Sequence, residues 1–180
     1  MDRLARRPDL LFCYDTLQFD AVIEALLGRI PERMLASAPG YRAAALAARV
    51  SPGLIRASGS SAVGMLLTDL SYQEWEILDA FEYVRHDLRE VTFSMGKSGW
   101  AYVWPGDDVQ EDDWDAEGFQ ARHLAEYAAR CARIGPRLAA GAQTASEGPG
   151  CRVSPTPQRG CARESWRTAR SPPRAMAVFP

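Results

Sequence analysis

The sequence has few cysteines and histidines, and they are not arranged as metal sites or disulfide frameworks require. The four cysteines, Cys13, Cys131, Cys151 and Cys161, include no C-x-x-C pair, and the chain has only two histidines. Structural zinc sites take their ligands in close pairs, and disulfide-stabilised domains are short and dense in cysteine. We therefore predict neither a zinc site nor a disulfide framework. Cys13 lies inside an apolar run and is expected to be a small buried core residue.

Long apolar runs are missing as well. A helix that crosses a membrane needs about 18 or more consecutive apolar residues, and the sequence has no such run. The first residues carry charges, but no apolar stretch follows that is long enough for a secretory signal. The sequence therefore predicts no membrane partner and a cytoplasmic location.

The net charge of -2 is small, but it is unevenly distributed along the chain. Residues 143–180 hold six arginines and two glutamates, which leaves 15 basic and 21 acidic side chains before them. An acidic body argues against a nucleic-acid partner. The last part of the chain is rich in Gly, Pro, Ser and Arg and has almost no apolar periodicity, so it cannot offset its ordering entropy. We expect one domain over residues 9–134 and a disordered, solvated tail over 135–180; the alternative is that this basic tail recruits an acidic partner.

The first half of the chain has one clear helical pattern. Apolar residues spaced three and four apart predict a helix over 20–27, with Gly28 as its C-cap. Residues 33–50 are rich in alanine and interrupted by Pro-Gly turns; we expect short strands there, although alanines would suit a helix equally. Residues 59–61 (Gly-Ser-Ser) are predicted to form a loop, and 63–67 a short buried strand whose glycine indicates a close backbone approach.

A second helix has a defined start. Ser71 and Glu74 form a capping box, which predicts a helix from there to Glu82. At the C-terminal end of a helix a carboxylate meets the negative end of the dipole, which disfavours its charged form. Glu82 is therefore a candidate proton carrier. The alternative is a charged residue that only caps the helix end beside Arg85.

The remaining part of the body alternates between sheet and helix patterns. Residues 88–95 and 100–104 alternate as two strands joined by a glycine turn. The acidic stretch 107–117 lacks the spacing of a calcium loop and is expected to be a solvated loop. An apolar stripe over 119–131 predicts a last helix, on which His123 is expected to be packed rather than catalytic.

Near the N-terminus an apolar run breaks into Tyr14-Asp15-Thr16-Leu17, just before the first helix. A strand that ends in a turn leading to a helix leaves backbone N–H groups pointing at one spot. Such a spot suits a carboxylate or a phosphate.

This turn and the block from Leu70 to Glu82 together resemble the gamma-glutamylcyclotransferase-like superfamily, in its AIG2-like branch. That branch carries hydrophobic-Tyr-Gly-Thr/Ser-Leu near the N-terminus and a Leu-Ser-x-x-Glu-Trp-x-x-Leu-Asp-x-Phe-Glu block later. The resemblance covers roughly residues 10 to 130. It implies an α+β fold, built on a small, mostly antiparallel β-barrel with flanking helices.

The resemblance also implies an activity that needs no cofactor. In that reaction the α-amine of a γ-glutamyl group attacks its own γ-carbonyl, which closes a five-membered ring and releases 5-oxoproline and an amine. Such a ring closure gains from holding the amine near the carbonyl and from moving protons. By the resemblance, Glu82 is the general acid and base. The substrate is a small molecule with a γ-glutamyl group, and its α-carboxylate is held through backbone N–H groups of Tyr14, Asp15, Thr16 and Leu17.

Two positions depart from the pattern of the branch. His86 stands where a tyrosine is expected, and Asp15 replaces the glycine of the turn. Asp tolerates a positive φ better than most residues, so we expect the fold to survive. Its charge would repel a ligand carboxylate about 5 Å away by roughly 3 kcal/mol at an effective dielectric constant near 20, about a hundredfold in binding. The alternative function is therefore a binding protein that keeps the pocket but has weakened or lost turnover.

Overall fold

The computed structural model describes residues 9–82 and 86–146 of the chain. The strands are β1 (Leu11–Cys13), β2 (Arg33–Leu46), β3 (Gly53–Leu67), β4 (Asp87–Thr92), β5 (Ser98–Val103) and β6 (Val109–Asp113). The helices are α1 (Asp20–Leu27), α2 (Tyr72–Glu82), α3 (Ala116–Arg122) and α4 (Leu124–Ser146), and a 3-10 helix spans Thr16–Gln18. None of the helices in these two ranges is long and apolar enough to cross a membrane.

The six strands form one curled sheet, a half-barrel, in the order β4-β5-β1-β3-β2-β6. The pairings β1–β3, β2–β3, β2–β6 and β4–β5 are antiparallel. The pairings of β5 with β1 and with β3 are parallel. The predicted α+β fold with a small, mostly antiparallel barrel and flanking helices is confirmed, with the refinement that the sheet is mixed.

Strand β1 lies at the centre of the fold because all three of its residues are buried. Leu11 and Cys13 belong to the core between the sheet and the helices, whereas Phe12 belongs to the core inside the curl of the sheet. The strand packs closely on β3, since a Cβ at Gly64 would lie 2.4 Å from the carbonyl oxygen of Cys13. The predicted close approach at this glycine is confirmed. The turn that follows β1 is therefore anchored from both sides of the sheet.

Strands β2 and β3 are longer than the sequence predicts, with 14 and 15 residues. The loop expected at 59–61 lies inside β3, so that prediction is wrong. Gly40 (φ 78) and Gly59 (φ 82) both have left-handed backbones, and they lie where the β2–β3 register shifts beyond Pro39. The small residues therefore allow an irregularity within a continuous hairpin rather than ending the strands.

Helix α1 begins and ends where the sequence predicts, and α2 begins where the sequence predicts. Gly28 (φ 76) closes α1 in the left-handed conformation, and its N–H donates to the carbonyl oxygen of Glu24 at 2.8 Å. At the start of α2 the N–H of Ser71 donates to Glu74 at 2.8 Å, and the N–H of Glu74 donates to the Ser71 hydroxyl at 3.3 Å. Arg29 donates to both oxygens of Glu74, at 2.6 and 2.8 Å. This bidentate pair ties the end of α1 to the start of α2.

The last part of the described chain corrects two predictions. The acidic stretch expected to be a loop contains β6, which pairs with β2 at the edge of the sheet. Helix α4 continues to Ser146, so the tail predicted from residue 135 begins too early. Gly135 explains the continuation, since a Cβ there would lie 2.7 Å from the carbonyl oxygen of Ala25 and α4 packs closely on α1. The rest of the predicted tail, 147–180, lies outside the described residues.

Candidate functional site

A cavity of about 270 Å³ opens where the turn after β1, the end of α2 and the middle of α4 meet. The turn contributes Asp15 and Thr16, and α2 contributes Phe81 and Glu82. Helix α4 contributes Tyr127. These elements are far apart in sequence, and the cavity forms only because β1 and α2 are both held against the core.

The rest of the cavity wall comes from residues that flank the sheet. Arg49 and Ser51 follow β2, and His86 precedes β4. Arg130 and Cys131 lie one turn beyond Tyr127 on α4. The wall therefore contains two carboxylates, two guanidinium groups and one imidazole around a space that fits a small molecule.

The carboxylate of Asp15 bonds to a backbone N–H of its own turn. Its Oδ1 accepts a hydrogen bond from the backbone N–H of Leu17 at 3.0 Å and so caps the 3-10 helix. Its φ of −108° is not left-handed, so the aspartate is not strained where the glycine of the branch would stand. One N–H that we expected to hold a ligand carboxylate is engaged by a carboxylate of the protein.

The Asp15 carboxyl is only 5 % exposed. Burial raises its pKa to about 7, and the neighbouring charge of Glu82 acts in the same direction, while the Leu17 N–H and His86 oppose the shift. No lysine or arginine of the described residues forms an ion pair with Asp15 within 4.0 Å. The charge on this carboxylate is therefore poorly compensated by the protein.

Glu82 is the last residue of α2 and is 7 % exposed. Oε2 of Glu82 lies 3.0 Å from Nδ1 of His86. Burial alone lowers the pKa of His86, but its hydrogen bond to Glu82 and the charge of that carboxylate outweigh burial and raise the pKa above the ordinary value. The imidazole ring also packs edge-on against Trp104, with 5.2 Å between ring centroids. His86 thus orients the Glu82 carboxylate and balances its charge when protonated.

The two arginines of the cavity are more accessible to solvent. Arg130 is exposed and forms no ion pair with another described residue. The Arg49 side chain is 25 % exposed, lies 3.6 Å from the Asp108 carboxylate and stacks over the Trp104 ring at 4.8 Å. We call Asp15 and Glu82 the acidic floor of the cavity, and Arg49 and Arg130 its basic rim.

Three of the five candidate residues from the sequence line this cavity: Asp15, Thr16 and Glu82. The hydroxyl of Thr16 donates to the Tyr127 hydroxyl at 3.4 Å. Tyr14 and Leu17 lie outside the cavity wall and are each 2 % exposed. The Tyr14 hydroxyl donates to the carbonyl oxygen of Tyr102 at 2.8 Å, which ties the turn to β5.

Sequence reasoning missed several residues of the wall. The sequence places Tyr127 and Cys131 only on the apolar stripe of the last helix. Burial raises the pKa of the Tyr127 hydroxyl to about 12, so it stays a neutral donor and acceptor. His86 was seen only as a departure from the pattern, although its position four residues after Glu82 could have indicated a pair. His123 contacts the Phe119 ring, 6.1 Å between centroids, and does not line the cavity. Nothing in the local sequence of Arg49 indicates its place.

The described part of the chain contains no group of three His, Cys, Asp or Glu side chains arranged to hold a metal ion. The cavity wall itself carries carboxylates, an imidazole, hydroxyls and guanidinium groups. These suit proton transfer and the binding of a small polar molecule.

Comparison with known proteins identifies relatives of this chain. The sequence model of the family described as "Gamma-glutamyl cyclotransferase, AIG2-like" matches residues 11–118. AIG2-like protein D of Arabidopsis thaliana is 29 % identical over 122 residues, which cover 63 % of this chain and 80 % of that protein.

Solved structures share the fold. A solution structure of one Arabidopsis thaliana protein superposes with a TM-score of 0.53 and 18 % identity over 85 % of this chain and 95 % of that one. A second solution structure from the same plant gives a TM-score of 0.52 and 21 % identity over 72 % of this chain and 92 % of its own. Since the family match spans more than half of the sequence, the chain belongs to the AIG2-like gamma-glutamyl cyclotransferase family.

Proposed function

We propose that the protein is a gamma-glutamyl cyclotransferase that converts a γ-glutamyl amine into 5-oxoproline and a free amine. The observation that supports this most is the cavity itself. It brings Glu82, from the end of α2, to the same small space as the Asp15–Thr16 turn. Glu82 matches the motif of the family and the turn stands at the place of the N-terminal motif, although Asp15 replaces its glycine. Their common cavity has the size of a small-molecule site.

In the proposed mechanism Glu82 handles the protons of both reacting nitrogens. The α-ammonium of the substrate gives a proton to Glu82, and the resulting amine attacks the γ-carbonyl carbon and loses its second proton as the ring forms. The departing nitrogen takes up both protons through Glu82 and leaves as an ammonium. One buried carboxylate can perform both steps if it lies near both nitrogens. His86 is a positioning residue, because it holds the Glu82 carboxylate by a hydrogen bond.

The cavity also contributes by restricting the ligand. Ring closure needs the amine held close to the carbonyl, and a small cavity with polar side chains in its wall can supply that orientation. The neutral hydroxyls of Thr16 and Tyr127 are available as hydrogen-bond partners for polar atoms of the substrate. The reaction requires no oxidant and consumes no water.

The proposal is tested by incubating the protein with a panel of γ-glutamyl amides of different amines. We expect 5-oxoproline, measured by mass spectrometry, together with one equivalent of the released amine. A folded protein that forms no 5-oxoproline from any member of the panel would refute the proposal for those substrates. Blanks without protein measure spontaneous cyclisation.

A second candidate function is a binding protein of the same family that has little or no turnover. The observation that favours it is the Asp15 carboxylate, which takes the Leu17 N–H that a ligand carboxylate would use. Calorimetry with the same panel separates the two candidates. Binding without product formation would favour the binding protein.

A further inference from the structure

The side chain of Asp15 resembles a part of the substrate that the proposed reaction would bring into the cavity. A γ-glutamyl group carries an α-amine, an α-carboxylate and a γ-carbonyl, and only the amine and the carbonyl react. The Asp15 carboxylate already lies in the cavity wall and accepts the Leu17 N–H at 3.0 Å. A second carboxylate at this position would meet an engaged donor and a like charge.

The acidic floor, in contrast, suits a cation. Asp15 and Glu82 are both more than nine-tenths buried on the same cavity, and within the described residues only His86 forms an ion pair with either of them. Two buried carboxylates with one imidazole leave room for one more positive charge. An ammonium group next to Asp15 would supply it without adding a carboxylate.

We propose that the Asp15 carboxylate takes the place of the substrate's α-carboxylate, so that the preferred ligand is an amide of 4-aminobutyrate, which has the same amine and carbonyl but no α-carboxylate. This inference rests on the ring-closing chemistry proposed above, but with a different acyl group in the substrate. Asp15 provides the negative charge that the α-carboxylate provides in a γ-glutamyl ligand. The alkyl chain keeps the spacing that closes a five-membered ring.

The reaction balances without a further reactant. The amine nitrogen forms a bond to the acyl carbon while the amide C–N bond breaks, which gives 2-pyrrolidinone and the free amine. The attacking nitrogen changes from an ammonium to the N–H of a lactam and so loses two protons. Both pass through Glu82 in turn and end on the departing nitrogen, which leaves as the ammonium form of the amine. No water enters the products, and nothing is oxidised or reduced.

The test compares two substrates that differ only at the α-carboxylate, the 4-aminobutyryl and γ-glutamyl amides of benzylamine. 2-Pyrrolidinone, 5-oxoproline and benzylamine are measured by mass spectrometry, with blanks without protein. We expect the parent protein to prefer the 4-aminobutyryl amide in kcat/KM by about tenfold or more, because like charges repel each other by that order in a partly solvated site. A preference for the γ-glutamyl amide would overturn this inference and leave the ring-closing function intact.

Two variants separate the charge of Asp15 from its hydrogen bond to the Leu17 N–H, and a third variant is the control. Asp15→Gly removes both and should reverse the preference, whereas Asp15→Asn removes only the charge and should reduce it. Asp112→Asn, at an exposed position, makes the same change in net charge and should leave the preference unchanged. Circular dichroism checks that each variant is folded, and the comparison in the parent does not depend on them.

If neither amide reacts, calorimetry with the same two ligands shows whether only the ring-closing function fails or the proposed ligand class fails as well. Tighter binding of the 4-aminobutyryl amide would support the ligand class and refute the ring-closing function. Equal binding, tighter binding of the γ-glutamyl amide, or no binding of either would overturn the inference.

Discussion

The acidic floor and the basic rim line the same cavity but differ in how their charges are held. Asp15 and Glu82 are 5 % and 7 % exposed, whereas the Arg49 side chain is 25 % exposed and Arg130 is open to solvent. A buried charge interacts strongly with its neighbours and is little affected by salt, while an exposed charge is weakened by water and ions. The floor is therefore suited to chemistry and pH dependence, and the rim to modest preferences among ligands.

The largest expected effect is that of Glu82→Gln on turnover. The substitution is nearly isosteric but removes the group that accepts and returns protons, and general acid–base catalysis typically contributes about a hundredfold or more. We expect kcat to fall by about that factor while the fold stays intact. Initial rates of product formation for parent and variant, with circular dichroism as the check on folding, measure the effect.

Glu90→Gln is the matched control, because this glutamate is exposed on β4 and does not line the cavity. It should react at the parent rate. Normal turnover by Glu82→Gln would refute the role of Glu82 as the general acid and base.

A second prediction concerns how the floor is held in place. The turn with Asp15 follows β1, and a Cβ at Gly64 would lie 2.4 Å from the backbone carbonyl oxygen of Cys13. Gly64→Ala should therefore lower the free energy of unfolding by about 1–3 kcal/mol, the usual cost of overpacking a core. Urea denaturation followed by circular dichroism measures it.

Gly141→Ala in α4 is the control for this substitution. A Cβ there has no neighbouring atom within 4 Å, and Ala is favoured over Gly inside a helix by about 1 kcal/mol. This variant should be as stable as the parent or more stable. Equal stability of the two variants would mean that β1 is not tightly fixed against β3.

The features that the sequence predicts well are those set by local chemistry. The capping box at Ser71 and Glu74 and the C-cap at Gly28 depend on residues a few positions apart, and both form as predicted. The close approach at Gly64 was also indicated, because a glycine in a buried strand has few other uses. The position of Glu82 at a helix end follows from the same local rules.

The features that the sequence does not predict depend on contacts across the fold. Gly135-Pro136 looks like the end of a helix, yet α4 continues because the glycine allows contact with α1. The Gly-Ser-Ser segment at 59–61 looks like a loop, yet it lies in β3, where the pairing with β2 shifts register. Arg49 reaches the cavity only because the curl of the sheet carries the end of β2 there. Local propensity does not describe contacts between residues that are far apart in sequence.

Asp15 has one property that the sequence predicts and one that only the structure shows. The sequence identifies it as a departure from the family and indicates a conflict of charge with a ligand carboxylate. The backbone is not strained there, with φ −108°, and the side chain bonds to the Leu17 N–H. The aspartate is thus an N-cap as well as a charge in the cavity. The capping role becomes visible only in the geometry of the turn.

The third prediction concerns the dependence of stability on pH. The folded pKa of Asp15 is raised to about 7, above the value near 4 of an unfolded aspartate. Folding therefore binds a proton between these values, and the stability of the parent falls as the pH rises from about 4 through 7. The raised pKa of His86, which pairs with Glu82, acts in the same direction at slightly higher pH.

Asp15→Asn should remove the contribution of Asp15, because the amide oxygen can still accept the Leu17 N–H but does not ionise. The stability of the variant relative to the parent should rise between pH 4 and 7 and level off above, by at least about 1 kcal/mol, since one unit of pKa shift corresponds to about 1.4 kcal/mol. Urea denaturation at a series of pH values measures it. A constant difference between the two proteins would show that Asp15 does not titrate in this range.

The smallest expected effect lies at the rim. Arg130 is exposed on α4 and borders the cavity, so it should attract amides whose leaving amine carries a carboxylate. Exposed ion pairs contribute about 0.2–1 kcal/mol, and Arg130→Gln should lower kcat/KM for such amides by up to about fivefold. Amides of a neutral amine should be unaffected. Arg137→Gln, at an exposed position on α4 outside the cavity wall, makes the same change in net charge and is the matched control.

The salt dependence of kcat/KM in the same assay distinguishes the effect of a rim residue from that of a floor residue. The Debye length falls from about 10 Å at 0.1 M to about 3 Å at 1 M ionic strength, so the loss caused by Arg130→Gln should disappear as salt is added. The loss caused by Glu82→Gln should persist, because that carboxylate is buried and acts by proton transfer. If the Arg130→Gln effect were as large for the neutral amine, or were unchanged by salt, then Arg130 would act by packing against the ligand and not by its charge.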